Sequence, residues 1–179
     1  MRPFEAFLIH VFWDGSIKGT RGEENAVSAN ESAIYADRAT GQVFPDAHAM
    51  VNAYLSRFAE RSGNPMTPLD ATGYTQVRKG SASVGVNVID DHGVLLMLAP
   101  VMKVPREHRE ALYRRLLELS LLTTSDAAFA IDGKKDEVYV RALRRLSGLD
   151  YEEFEDLLET VGLVADEWDD ALKKEFGQP

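Results

Sequence analysis

The chain has 179 residues, 45% of them hydrophobic and 27% charged, which is the size and make-up of one soluble globular domain with room for an extension. It has no cysteine, so a disulfide framework and a thiolate metal site are excluded, and a reducing compartment fits. Its net charge of −9 disfavours unaided binding to nucleic acid or to an anionic membrane, because both require phosphates to be neutralised.

Residues 4–13, FEAFLIHVFW, are aromatic and β-branched and stop at the turn pair Asp14-Gly15, which predicts a strand. The same run is interrupted by His10 and is far short of the roughly 20 residues that span a bilayer; the expectation is a soluble cytoplasmic protein. Residues 14–32, rich in Gly, Ser, Asn and Glu, read as a long loop or flap, followed by a short strand at 33–36 or at 42–44. A helix is expected over 46–61. Asp46 caps it, Met50, Tyr54 and Phe58 form one row with Val51, Leu55 and Ala59 beside it, and Gly63 and Pro65 end it.

A run of strands covers 71–104. Val84, Val86 and Val88 alternate with smaller or polar residues, and the turn DDHG at 90–93 leads into VLLMLAPVMKV, apolar on both faces. Pro100 requires an edge, a bulge or a break in that last strand. Pro105 suits the first position of a second helix, with Leu112, Leu116 and Leu119 on one face and Glu110–Arg114 as an i, i+4 ion pair. Two further strands bracket the turn DGKKD at 132–136.

The last helix opens with a capping box and a hydrophobic staple, built from Leu149, Asp150, Glu153 and Phe154. Phe154, Leu157, Leu158, Val161, Val164, Ala165, Trp168, Leu172 and Phe176 form one apolar stripe that runs straight through Gly162, so a single long helix with a weak point is expected. Ten acids and no base lie between 150 and 172, and Lys173 and Lys174 follow at the C-terminal end, where the helix dipole favours positive charge.

No motif in the chain carries chemistry. The histidines His10, His48, His92 and His108 show no metal-ligand spacing, and the cluster Asp90-Asp91-His92 sits in one tight turn whose adjacent residues rarely converge on an ion. KGSASVG at 79–85 has glycine spacing suggestive of a phosphate cradle but lacks the Lys and Ser/Thr that a P-loop needs after its second glycine; it reads as a hairpin turn. The acidic helix face has two readings. It is either a solvated face that also neutralises the basic residues of the middle helix and last strand, or a docking surface for a basic protein through Glu152, Glu155, Asp156, Glu159, Asp166 and Asp170.

The C-terminal two-thirds resembles the YbjN-like proteins and the wider group with the type III secretion chaperone-like fold. The pieces that carry the resemblance are the strand ending near Pro105, the helix closing on Leu117 to Leu121, and the hairpin over Asp132-Gly133. The link from Leu146 to Leu149 and the acidic helix ending near Trp168 complete them. It implies an α+β fold in the order α-β-β-β-α-β-β-α, an antiparallel sheet, and two parts: an N-terminal extension, residues 1–45, and a chaperone-like domain, residues 46–179. It further implies a small homodimer that holds protein clients, with no enzymatic activity and no cofactor. Leu96, Leu98 and Val101 on the doubly apolar strand are then the expected dimer or client surface. Two alternatives stay open: a regulatory protein that engages a basic, nucleic-acid-handling partner through the acidic helix, and an enzyme based on carboxylates or histidine with the 14–32 flap as a lid.

Overall fold

The computed structural model describes residues 35–177. The strand expected at 4–13, the loop at 14–32 and His10 lie outside that range. Both short strand positions near the start are occupied: β1 (Tyr35–Ala36) pairs antiparallel with β2 (Val43–Phe44). Helix α1 (Ala47–Ser62) follows, with the Asp46 carboxylate accepting from the Ala49 N–H at 2.7 Å. It ends on Gly63 at φ 68°, a left-handed conformation that costs glycine nothing. Met50, Val51, Tyr54, Leu55 and Phe58 are all buried, as their spacing requires.

Strands β3 (Tyr74–Lys79), β4 (Ala82–Ile89), β5 (Val94–Lys103), β6 (Ala128–Asp132) and β7 (Glu137–Arg145) form one antiparallel sheet in the order β3-β4-β5-β7-β6. Helix α2 (Arg109–Leu122) connects β5 to β6 and packs along β6. The expected α-β-β-β-α-β-β-α order is therefore the observed one. β5 lies at the centre of the sheet and still contains Pro100, because the register with β7 shifts between Pro100 and Met102. That bulge removes the need for a ladder N–H at the proline.

Two expectations about the middle helix need correction. It begins at Arg109, not Pro105: the Val104 N–H is tied to the Asp136 carbonyl at 2.7 Å, and His108 at φ 58° blocks an earlier helical turn. Arg114 pairs with Glu118 at 2.9 Å rather than with Glu110, which stays in the first turn, where the helix dipole favours a carboxylate.

Helix α3 (Tyr151–Phe176) runs unbroken for about 39 Å and lies across β3, β4, β5 and β7. Its start is pinned from three sides. The Asp150 carboxylate accepts from the Glu153 N–H at 2.9 Å, and Leu149 and Phe154 are fully buried as a staple. The Glu153 side chain does not close the box. It turns instead to Arg144 at 2.8 Å. The third support comes from the β1–β2 turn, where buried Asp37 accepts from the Thr40 N–H and hydroxyl and, at 3.1 Å, from the Tyr151 N–H. Around this junction Tyr54 packs against Phe44, Tyr151 and Phe154, its hydroxyl donates to the Leu149 carbonyl, and the Arg57 guanidinium sits 3.9 Å over the Tyr151 ring.

Gly162 is not a weak point. It is buried, and a Cβ built on it would stand 2.6 Å from Lys79 Cγ and 2.8 Å from Lys79 Cβ. The missing side chain lets α3 approach β3 closely enough for the lysine stem to lie over the helix while its ammonium reaches Glu159.

Two outcomes test this account. Gly162→Ala should destabilise the protein by about 1–2 kcal/mol in urea unfolding, although alanine favours a helix by ~1 kcal/mol, because the inserted methyl meets the base of a side chain fixed to a strand. The second concerns acid. Burial raises the Asp37 pKa, but the hydrogen bonds from Thr40 and Tyr151 outweigh it and leave the carboxyl below its ordinary value of 3.8. A carboxylate held low in the folded state contributes stability that is present above pH ~4 and is lost as pH falls through the folded value. Asp70, held by Thr72 and Tyr74, and Asp166, held by Ser81, are lowered too and act with the same sign. The melting temperature should fall more steeply below pH ~4 for the parent than for Asp37→Asn, which should itself be less stable at neutral pH by about 1–3 kcal/mol.

Candidate partner-binding surfaces

Alternation along the strands sorts the sheet into two faces. Val77, Val84, Val86, Val88, Leu95, Met97, Ala99, Val138, Val140 and Ala142 join the core shared with the helices. The opposite face carries Tyr74 and Gln76 from β3, Gly85 and Asn87 from β4, Leu96 and Leu98 from β5, and Tyr139, Arg141 and Leu143 from β7. Leu96 stands opposite Leu143 and Asn87, and Leu98 opposite Arg141 and Gly85. The Tyr74 ring lies over Gly85, where a Cβ would meet it at 3.1 Å.

Leu96 and Leu98 thus share one face, at 8% and 5% exposure, whereas Val101 belongs to the core on the other side. Val101 has the same parity as Leu95, Met97 and Ala99, so it does not extend the Leu96–Leu98 row. Leu143, at 43% exposure, does extend it, and the alternation of Val138, Val140 and Ala142 already implies as much. Tyr139 on this face bonds the Glu137 carboxylate; burial and that carboxylate together push its phenol well above the usual range.

Among the described residues β3 is the outermost strand at one side of the sheet. At the other side, α2 turns Leu112, Leu116 and Leu119 inward and leaves Leu117 and Leu121 at 73% and 81% exposure. These two leucines are one turn apart and roughly opposite the buried row, with the Arg114–Glu118 pair on the same helix. The helical spacing of Leu112, Leu116 and Leu119 was the signal that could have found them.

The acidic helix face divides by use. Glu155 pairs with Arg61 of α1 at 2.8 Å and accepts from the Tyr151 hydroxyl, and Glu159 pairs with Lys79 of β3. Asp166 accepts from the Ser81 N–H and hydroxyl, closing the β3–β4 turn. Glu153 and Asp169 pair with Arg144 and Lys173. All of these carboxylates except Asp169, whose lysine lies one turn along the same helix, anchor α3 to its surroundings. Glu152, Asp156 and Asp170 are exposed, and with Glu167 and the exposed Leu163 they follow one side of the helix. Asp156 also lines a cleft of about 280 Å³ with Ser125, Asp126, Glu153, Leu157 and Thr160, across which Arg144 ties Asp126 to Glu153.

His48, in the first turn of α1, bonds Asp90 of the turn before β5 at 2.9 Å. No helix among the described residues is long and apolar enough to cross a membrane.

Solved structures similar to this chain include chains of protein–protein complexes. A chain of the ExsC–ExsE complex is 26% identical, with a TM-score of 0.58 over 71% of this chain and 96% of that one. A chain of the heterodimeric ExoU–SpcU complex from the type III secretion system of Pseudomonas aeruginosa is 12% identical, with a TM-score of 0.54 over 70% and 99%. YbjN from E. coli is 16% identical, with a TM-score of 0.43 over 66% and 91%. No curated protein sequence matches. Residues 53–168, from within α1 to Trp168 of α3, match the Tir chaperone protein (CesT) family, and with the type III secretion chaperone fold in place around them, this chain belongs to that family.

Proposed function

We propose that this protein is a cytoplasmic, non-enzymatic chaperone-like adaptor that works as a homodimer and holds a segment of a client protein. The observation that carries the reading is the likeness to a chain of the ExsC–ExsE complex, which covers 96% of that chain at 26% identity, together with membership of a chaperone family. The surfaces support it in kind. An antiparallel sheet with an outermost strand such as β3 offers backbone groups to an extended segment, and the exposed Leu143, beside the buried Leu96 and Leu98, offers an apolar contact on the outward face.

For the dimer, α2 is the favoured seam. Leu117 and Leu121 are exposed large apolar side chains of the helix, and Arg114 and Glu118 beside them place opposite charges on one surface. A two-fold axis across such a helix lets each leucine meet its copy's apolar row and each Arg114 meet a Glu118, the self-complementarity an isologous interface needs.

A second reading has narrower support. A basic partner could dock along Glu152, Asp156 and Asp170, the members of the proposed acidic set that are not spent on anchoring contacts within the fold.

Light scattering of the purified protein should report a dimer, and Leu117→Glu with Leu121→Glu should convert it to a folded monomer with an unchanged helical signal; a parent monomer at working concentration would remove the dimer. Client binding is tested by affinity capture from native lysate at low and high salt, followed by native mass spectrometry of what stays bound. One partner held in a defined ratio and lost on Leu143→Glu supports the adaptor reading through the outward face. A partner that survives Leu143→Glu but dissociates with salt and with Glu152→Gln, Asp156→Asn and Asp170→Asn would transfer the function to the acidic ridge. Retention of nothing at a defined ratio would count against both.

A further inference from the structure

At the end of the sheet where β5 runs into the loop before α2, an open cleft of about 380 Å³ lies against the last turn of α3. Met102, Val104 and Pro105 form its apolar floor, and Lys103, Arg106 and Lys173 stand around it. No carboxylate lines it, in a protein whose net charge is −9. Lys103 is 3.2 Å from Glu137 and Lys173 is 2.7 Å from Asp169; in both pairs the carboxylate is half-buried and the lysine is exposed, so each ammonium keeps a side open to the cleft. Arg106 is exposed and has no acidic partner among the described residues.

The surroundings decide which anion fits. Tight phosphate sites draw on free backbone N–H groups or on a helix N-terminus. Here Pro105 has no N–H, the Val104 N–H is given to Asp136, the Gly177 N–H is given to Lys173, and the helix presents its negative end. A dianion would meet that end without the donors that hold it. A single carboxylate needs only the three mobile cations, and an apolar side chain next to it in sequence would cover Met102, Val104 and Pro105.

We infer that this cleft is a docking site for an acidic–apolar peptide segment of a protein partner: a Glu or Asp side chain between Lys103, Arg106 and Lys173, and its apolar neighbour on the floor. The inference deepens the adaptor reading, since it names the chemistry of one part of a client. It also assigns a carboxylate preference to one pole of a protein that its net charge would match with basic partners.

The test is fluorescence anisotropy of the full chain with a labelled peptide of alternating Glu and Leu, compared with the same peptide carrying Gln for Glu. The Glu peptide should bind and weaken with salt, and the Gln peptide should bind at least several-fold more weakly. Arg106→Glu should weaken the Glu peptide about fivefold or more, while Arg78→Glu, an equal change of net charge on β3, should leave its affinity within twofold. Inorganic phosphate at equal ionic strength should compete no better than chloride. Equal loss in both variants, equal binding of the Gln peptide, displacement by phosphate, or no binding of the Glu peptide would each overturn the inference. Melting curves of Arg106→Glu and Arg78→Glu, expected to match the parent, exclude unfolding as the cause. Client capture as described above is read separately: a client held by the parent and by Arg106→Glu, with no peptide binding, ends this inference and leaves the adaptor reading intact.

Discussion

The contact on which the rest of this structure depends is the close passage of α3 over the sheet at Gly162. A helix that crosses four strands must find one point where its backbone can come near a strand, and here that point faces the stem of Lys79. The apolar stripe on either side of Gly162 fills the space between helix and sheet, from Phe154 at one end to Leu172 at the other, fully buried or nearly so except at the partly buried Trp168. With a side chain at 162 the helix would have to lift. Burial along its length, the dominant favourable term in holding the two layers together, would decrease.

The carboxylates beside the stripe work with this contact. Glu153, Glu155, Glu159 and Asp166 each reach a different neighbour: β7, α1, β3 and the β3–β4 turn. Individually such partly exposed pairs contribute little, about 0–1 kcal/mol. Together they set the rotation and sliding position of the helix, because each is satisfied in only one placement. The acidic run is therefore partly architecture, and the charge left for a partner is smaller than the sequence count suggests. The molecule is also polar in its charge: an acidic ridge follows one side of α3, while Lys103, Arg106 and Lys173 gather at its C-terminal end.

Much of the fold was legible residue by residue. Asp46 and Gly63 bound the first helix, Asp150, Leu149 and Phe154 marked the start of the last, and Pro100 announced its bulge. These are local signals, in which backbone conformation and a side chain within a few residues decide the outcome. The start of α2 was misread because Pro105 is compatible with a helix while the long-range bond from Val104 to Asp136 holds the chain in a loop. The surfaces were less legible. Leu96 and Leu98 share one face of the sheet, whereas Val101, read with them from the same apolar strand, packs in the core.

What the sequence by itself determined is the order of elements, their caps, and the apolar period of each, because these follow from φ/ψ preference and from which residues must leave water. Only the tertiary structure decided which acids are spent and which are free, since Lys79, Arg61 and Ser81 lie far along the chain from Glu159, Glu155 and Asp166. It likewise decided that Gly162 is a contact and not a weak point. A glycine inside a helical pattern reads as a loss of propensity until the strand that occupies the missing side chain's place is known.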